Sequence, residues 1–157
     1  VAGAASLTQV ETSSDALAAA RANLARNAVD GIPCEQHEGD AFSVLRRLRD
    51  AARSFDVVVL DPPKFAPTRA TLSRALRGYK DVNLQGLKLV RPGGWLATFS
   101  CSAAVDRDTF QTTVFQAAID AGRRVWAVAD LGPPSDHPVL LTFPESRYLK
   151  GLLCRVE

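Results

Sequence analysis

Apolar positions along this chain follow two periods that take turns. Phe55-Asp56-Val57-Val58-Val59-Leu60 and Trp95-Leu96-Ala97-Thr98-Phe99 are short, mostly apolar runs, the pattern of buried strands in a parallel sheet. Leu7 to Glu11, Cys34 to His37 and Arg124 to Ala129 read as further strands. Helical periodicity fills the gaps. Leu17, Ala20, Leu24 and Ala28 share one face of a helix that Ser13 can cap and whose first turn Asp15 favours. Phe42, Leu45, Leu48 and Ala52 line a second helix, with Arg46, Arg47, Arg49 and Arg53 on its other faces. A third helix is expected from Asp81 to Leu89, followed by a turn at Arg91-Pro92-Gly93-Gly94, and a fourth from about Asp106 to Ala121. Leu131 to Pro138 is a loop rich in Gly and Pro. Val139 to Phe143 and Tyr148 to Val156 read as extended segments joined by Pro144-Glu145-Ser146. Strands alternating with helices, then a terminal strand pair, predict an α/β doubly wound sheet. No repeat, low-complexity tract or internal linker interrupts the pattern, so residues 1–157 are expected to form a single domain.

Composition narrows the class. A hydrophobic fraction of 46% and a charged fraction of 23% are ordinary for a globular domain of 157 residues. No apolar stretch approaches membrane-spanning length. Three cysteines without paired spacing argue against a disulfide framework and for a reducing, cytoplasmic setting. The chain contains no methionine and opens on Val1-Ala2-Gly3-Ala4-Ala5, which reads like a piece of something longer.

The net charge of +2 hides an uneven distribution. Between Pro62 and Gly94 lie Lys64, Arg69, Arg74, Arg77, Lys80, Lys88 and Arg91, against Asp81 alone. A phosphate-rich partner would be drawn there; a solvated helix face is the equally weighted alternative.

Candidate chemistry sits where strands end. In open α/β sheets, ligands bind beyond the carboxyl ends of the strands. Glu11 ends an early strand, where a carboxylate can accept from ribose hydroxyls. Asp40, in Glu38-Gly39-Asp40, stands in the same relation to the next strand and could accept from an adenine amino group; both acids could equally be turn residues. Asp61-Pro62-Pro63 is more specific, because two prolines stiffen the loop and remove amide donors. An acid held at its mouth can hydrogen-bond a flat heterocycle. Phe65 offers a stacking face, and Lys64 a contact to phosphate or base. Arg77, Tyr79 and Asn83 are possible base or phosphate contacts, or simply packing and surface. His137, in Asp136-His137-Pro138, could move a proton but reads more readily as loop surface. Cys34 and Cys154 lie in apolar strand patterns, as inert core thiols do. Cys101 instead lies between two serines at a strand end, among basic residues that favour a thiolate nucleophile.

Together these pieces resemble a known family: the catalytic domain of bacterial 23S ribosomal RNA cytosine-5 methyltransferases of the RlmI type. The resemblance runs from end to end, through Val10-Glu11-Thr12-Ser13, Asp61-Pro62-Pro63-Lys64-Phe65, Arg77-Gly78-Tyr79-Lys80-Asp81 and Phe99-Ser100-Cys101-Ser102. It continues with Ala118-Ile119-Asp120-Ala121-Gly122-Arg123, Asp136-His137-Pro138-Val139 and Tyr148-Leu149-Lys150-Gly151. It implies the Rossmann-like fold of class I methyltransferases, mostly parallel with an antiparallel C-terminal strand. It implies S-adenosylmethionine as cofactor, with Glu11 on the ribose, Asp40 near the adenine and Asp61 at the cofactor as well. It implies 23S ribosomal RNA as partner, contacted by Pro62, Pro63, Lys64, Phe65, Arg77 and Tyr79. Cys101 would attack carbon 6 of a cytosine, and Asp61 would hold the base.

The family's first strand, glycine-rich cofactor loop and N-terminal PUA-type RNA-binding domain have no counterpart in the sequence. The expectations are a truncated domain, weakened cofactor binding, and exposed apolar surface where the first strand belongs. Three rivals stand beside this reading: an enzyme for another ribosomal base atom with Cys101 merely structural, a catalytically silent RNA-binding module, and a nicotinamide-dependent dehydrogenase. The last is poorly supported, since no Gly-x-Gly-x-x-Gly occurs.

Overall fold

The structure, a computed structural model, describes residues 3–29, 31–65 and 71–157. Arg69 of the basic run lies outside the described residues. The chain divides into two compact units, residues 1–47 and 48–157.

The first unit is built on two parallel strands, β1 (Leu7–Glu11) and β2 (Cys34–Glu38), joined by helix α1 (Ser14–Arg26). Ser13 caps α1 by accepting the Ala16 N–H at 3.2 Å. Only Leu17 of this helix is buried. Ala28, expected on its apolar face, lies past its end, exposed and at positive φ. Helix α2 (Ala41–Asp50) follows and crosses the boundary between the units. Its buried residues are Val44, Leu45 and Leu48. Ala52, expected on the same face, is exposed at φ 54° beyond the helix, where the Arg53 N–H closes the last turn onto Leu48 O.

The second unit holds β3 (Phe55–Leu60), α3 (Leu72–Leu89), β4 (Val90–Ser100), α4 (Arg107–Ala121), β5 (Val125–Leu131) and β6 (Lys150–Val156). Its sheet has the order β3-β4-β6-β5. β3 and β4 are parallel, while β6 runs antiparallel to both neighbours. The expected terminal strand pair is therefore corrected: a single last strand inserts between β4 and β5. Val139 to Phe143 forms no strand, and Leu141 is 87% exposed. Pro144–Ser146 is a single 3-10 turn.

α3 starts nine residues earlier than the expected Asp81. Ala75, Tyr79, Val82, Asn83 and Gly86 form one buried stripe through the whole helix, a period that Gly78 and three basic residues obscure in the sequence. Gly86 is the point of closest approach to the sheet, since a Cβ there would stand 2.7 Å from Leu60 Cδ1. The turn expected at Arg91–Gly94 is absorbed into β4 as an irregularity: Phe55 pairs with Val90, but Val57 pairs with Trp95. Gly93 there takes φ 77°.

β3 and β4 are not buried on both sides as their apolar runs suggest. Val58, Leu60, Leu96, Leu152, Cys154 and Val156 are buried on one face, whereas Val57 and Val59 are exposed. Val57 and Val59 on the edge strand β3, and Trp126 on the opposite edge strand β5, are exposed apolar side chains of this sheet.

Candidate active site

Two parallel pairs deliver the candidate residues. In the first unit, Glu11 pairs with Glu38 at the last position of β1 and β2, and Asp40 follows two residues on. Both acids are exposed. Glu11 Oε1 accepts the Thr12 N–H at 2.7 Å, the Thr12 hydroxyl at 3.0 Å and the Ser13 N–H at 3.0 Å. These bonds, the Ser13 N–H foremost, hold its carboxyl below the usual glutamate range. One carboxylate oxygen is thus anchored by its own loop, on a side chain that is exposed. Asp40 behaves alike: Oδ2 accepts the Ser43 N–H and hydroxyl, each at 3.0 Å, at the start of α2. Two oriented acceptors at the carboxyl edge of a parallel pair fit the hydroxyl and amino donors of a nucleoside.

In the second unit, Leu60 pairs with Thr98 across β3 and β4. Asp61 therefore leaves its strand level with Phe99, and Cys101 follows at the same edge, roughly 7 Å further out along the strand direction. Asp61, Pro63 and Lys64 are exposed, Pro62 and Phe65 half-buried, and Cys101 half-buried. Arg77 is exposed on α3 and lines, with Lys80, Asp108 and Thr112, a cavity of about 360 Å³.

Tyr79 is corrected. It is fully buried, so its ring is not offered to an RNA. Its hydroxyl lies 2.9 Å from Ser102 Oγ, and Phe65 packs on its ring at 4.8 Å between centroids. It thereby ties the loop after β3 to the loop after β4. Asn83 is buried as well, donating to Tyr79 O at 2.8 Å.

The backbone around the thiol is tightly held. Ser102 N–H donates to Ser100 Oγ at 3.3 Å, and Val105 N–H to Ser102 O at 3.1 Å. Asp106 then caps α4 by accepting the Thr109 N–H at 2.7 Å, a bond that lowers its carboxyl's pKa. A residue that received no role from the sequence joins them: Lys150, buried, donates from Nζ to Ser102 O at 2.8 Å. Its signal was a lysine at the first position of a strand otherwise apolar up to Arg155. Cys154 is buried and its thiol pushed up to about 11 by burial, as suits an inert core residue. Cys34 is half-buried and points its thiol at Gln9 Oε1, 3.6 Å away. His137 is exposed, 3.2 Å from the Tyr148 hydroxyl.

No family model matches the chain. Curated relatives do. The ribosomal RNA large subunit methyltransferase I of Shewanella denitrificans is 50% identical over 155 residues, covering 99% of this chain and 39% of that protein. Its namesake in Klebsiella pneumoniae is 46% identical over 154 residues, covering 98% of this chain and 38% of that protein. The chain spans about two fifths of the length of these relatives. Among solved structures, the methyltransferase SMU.776 complexed with SAH superposes with a TM-score of 0.81 at 22% identity, over 98% of this chain and 40% of that one. That likeness speaks to the fold, a Rossmann-like class I methyltransferase sheet. Along nearly its whole length, then, this chain is homologous to the matching part of the ribosomal RNA large subunit methyltransferase I proteins, a family of class I S-adenosylmethionine-dependent methyltransferases.

Proposed function

We propose that the chain is the catalytic part of an S-adenosylmethionine-dependent enzyme that methylates carbon 5 of a cytosine in 23S ribosomal RNA, in the cytoplasm, through a covalent Cys101 adduct. The observation that carries the reading is that Asp61 and Cys101 both leave the carboxyl edge of the adjacent parallel strands β3 and β4, whose last paired residues are Leu60 and Thr98. Relatives that align through both units support treating them as parts of one catalytic domain.

Glu11 and Asp40 are the residues that would hold the cofactor's nucleoside, on its ribose and adenine. When bound, S-adenosylmethionine supplies an electrophilic methyl group. The chain's own work falls on the base. Cys101 thiolate adds to carbon 6, which pushes electron density to carbon 5 and to ring nitrogen 3. A proton taken up from solvent as the thiolate adds, held between Asp61 and nitrogen 3, offsets the charge that collects there. Pro62 and Pro63 keep that carboxylate from swinging away. Once carbon 5 carries the methyl group, loss of its proton to solvent expels the thiolate and restores the ring. Lys64, Phe65 and Arg77 are the proposed RNA contacts, through phosphate and base stacking.

The test grafts this chain in place of the matching segment of the Shewanella denitrificans relative and offers ribosomal RNA carrying 5-fluorocytosine. Fluorine cannot leave as a proton does, so the adduct should persist and map to Cys101 by mass spectrometry. Absence of an adduct, with cofactor binding confirmed in the same sample, would overturn the thiol mechanism. Methylation continuing without an adduct would move the target to another base atom.

A further inference from the structure

Lys150 is 6% exposed, yet no carboxylate among the described residues lies within ion-pairing distance of it. A buried ammonium without a counter-ion is unfavourable, so its retention calls for a partner. Register supplies the place. Lys150 sits opposite Ser100 across the β4–β6 pair, one residue before Cys101. Its Nζ donates to the carbonyl of Ser102, one residue after Cys101. The cation therefore spans the backbone on both sides of the thiol.

We propose that Lys150 is the positioning residue for Cys101: its ammonium fixes the Ser100–Ser102 backbone and serves as the standing counter-charge for the thiolate. This rests on the reading of Cys101 as nucleophile. Lys150 keeps its own proton throughout, and the proton leaving the thiol passes to solvent. The counter-charge is then called on only while the sulfur carries charge, and the demand ends as the sulfur bonds to carbon 6.

The charges around Lys150 agree with this placement. Burial lowers its pKa most, the Cys101 and Asp106 charges raise it, and Arg107 lowers it. Asp106 and Arg107 both lie at the start of α4 and largely offset each other in sign, while Asp106 spends an oxygen on the Thr109 N–H. Of the two charges that raise it, the thiol's is the larger.

The experiment is alkylation of the full chain by iodoacetamide across pH, followed at the Cys101 peptide so that Cys34 and Cys154 do not contribute. Lys150→Met removes charge and hydrogen bond. Lys150→Gln keeps a donor for the Ser102 carbonyl and removes only the charge. Lys150→Arg keeps the charge. With Met or Gln, the rate at neutral pH should fall about tenfold and the profile should move to higher pH, because alkylation follows the thiolate fraction. Arg should retain most of the reactivity, and the melting temperature of the Met variant should not fall, since a lone buried charge has been removed. Profiles that superpose for all four proteins would overturn the inference, as would an Arg variant no better than Met. Alkylation requires neither RNA nor cofactor. Lys150-dependent alkylation without fluorocytosine trapping would therefore sink the mechanism alone, and trapping with Lys150-independent alkylation would sink this inference alone.

Discussion

The two carboxyl edges of this protein are built in opposite ways. At the end of β1 and β2, Glu11 and Asp40 are exposed, and their carboxylates accept from residues one to three positions away. At the end of β4, Cys101 is flanked by two fully buried serines, and Ser102 is bonded to Tyr79 and Lys150, 23 and 48 residues away in sequence. The first edge is a surface that presents acceptors. The second is a socket that holds one reactive atom among buried polar groups. Such a division suits a nucleoside recognised by hydrogen bonds and a base attacked covalently, where a small misplacement of the nucleophile is expensive in rate. It also means that damage should travel differently: substitutions at the acid edge stay local, while those in the socket reach across three strands and a helix.

That contrast can be broken by mutation. The largest effect is expected from Cys101→Ser in the grafted enzyme, with methyl incorporation falling about a thousandfold or more; tritium transfer from labelled cofactor measures it, and retained activity would reduce the socket to packing. Next comes Gly151→Ala. A Cβ there would stand 2.5 Å from Phe99 Cδ1 and 2.9 Å from Thr98 O, beside the strand that carries the thiol. Overpacking of this kind destabilises by about 1–3 kcal/mol, and thermal melting together with slower Cys101 alkylation would reveal it. At the acid edge, Ser13→Ala should cost only about 1 kcal/mol, the usual value of a lost N-cap, and should leave Cys101 reactivity unchanged. A changed alkylation rate would show that the two regions are energetically linked.

The smallest effect concerns pH. The Glu11 carboxyl is held low by the Ser13 N–H and by the Thr12 hydroxyl and N–H. A depressed folded value means that the unfolded chain takes up the proton first as pH falls. The carboxylate's contribution is therefore fully present above the ordinary glutamate pKa and is lost as pH drops through the lower folded value. An NMR titration should place Glu11 below a free glutamate side chain, and Glu11→Gln should flatten that part of the acid limb. A Glu11 midpoint at or above the free value would contradict the anchored geometry.

Much of the first region was legible in advance because its bonds are short-range. The Ser13 cap, the strand from Leu7 to Glu11 and the acids at strand ends follow from local pattern, and the structure agrees with each. The α4 boundaries were equally readable, from the Asp106 cap to Gly122 in the left-handed region. Misreadings cluster where the determining contact is distant. Tyr79 looks like a surface aromatic among basic residues, yet it is buried because Phe65, Phe110 and Ser102 surround it. The Val139–Phe143 run has strand composition but no strand to pair with. Val57 and Val59 belong to an apolar run yet only alternate residues meet the helices, so a run read as buried on both faces is buried on one.

The sequence by itself determined most of the elements and their order, the acids and thiol at strand ends, and a family resemblance carried by ordered motifs. Periodicity and capping act within a few residues, so they are written in the order of the letters. Only the tertiary structure decided that β6 enters between β4 and β5, and that this insertion brings Lys150 to the backbone beside Cys101. Strand order and the company a buried charge keeps depend on which segments meet after the chain has closed loops tens of residues long.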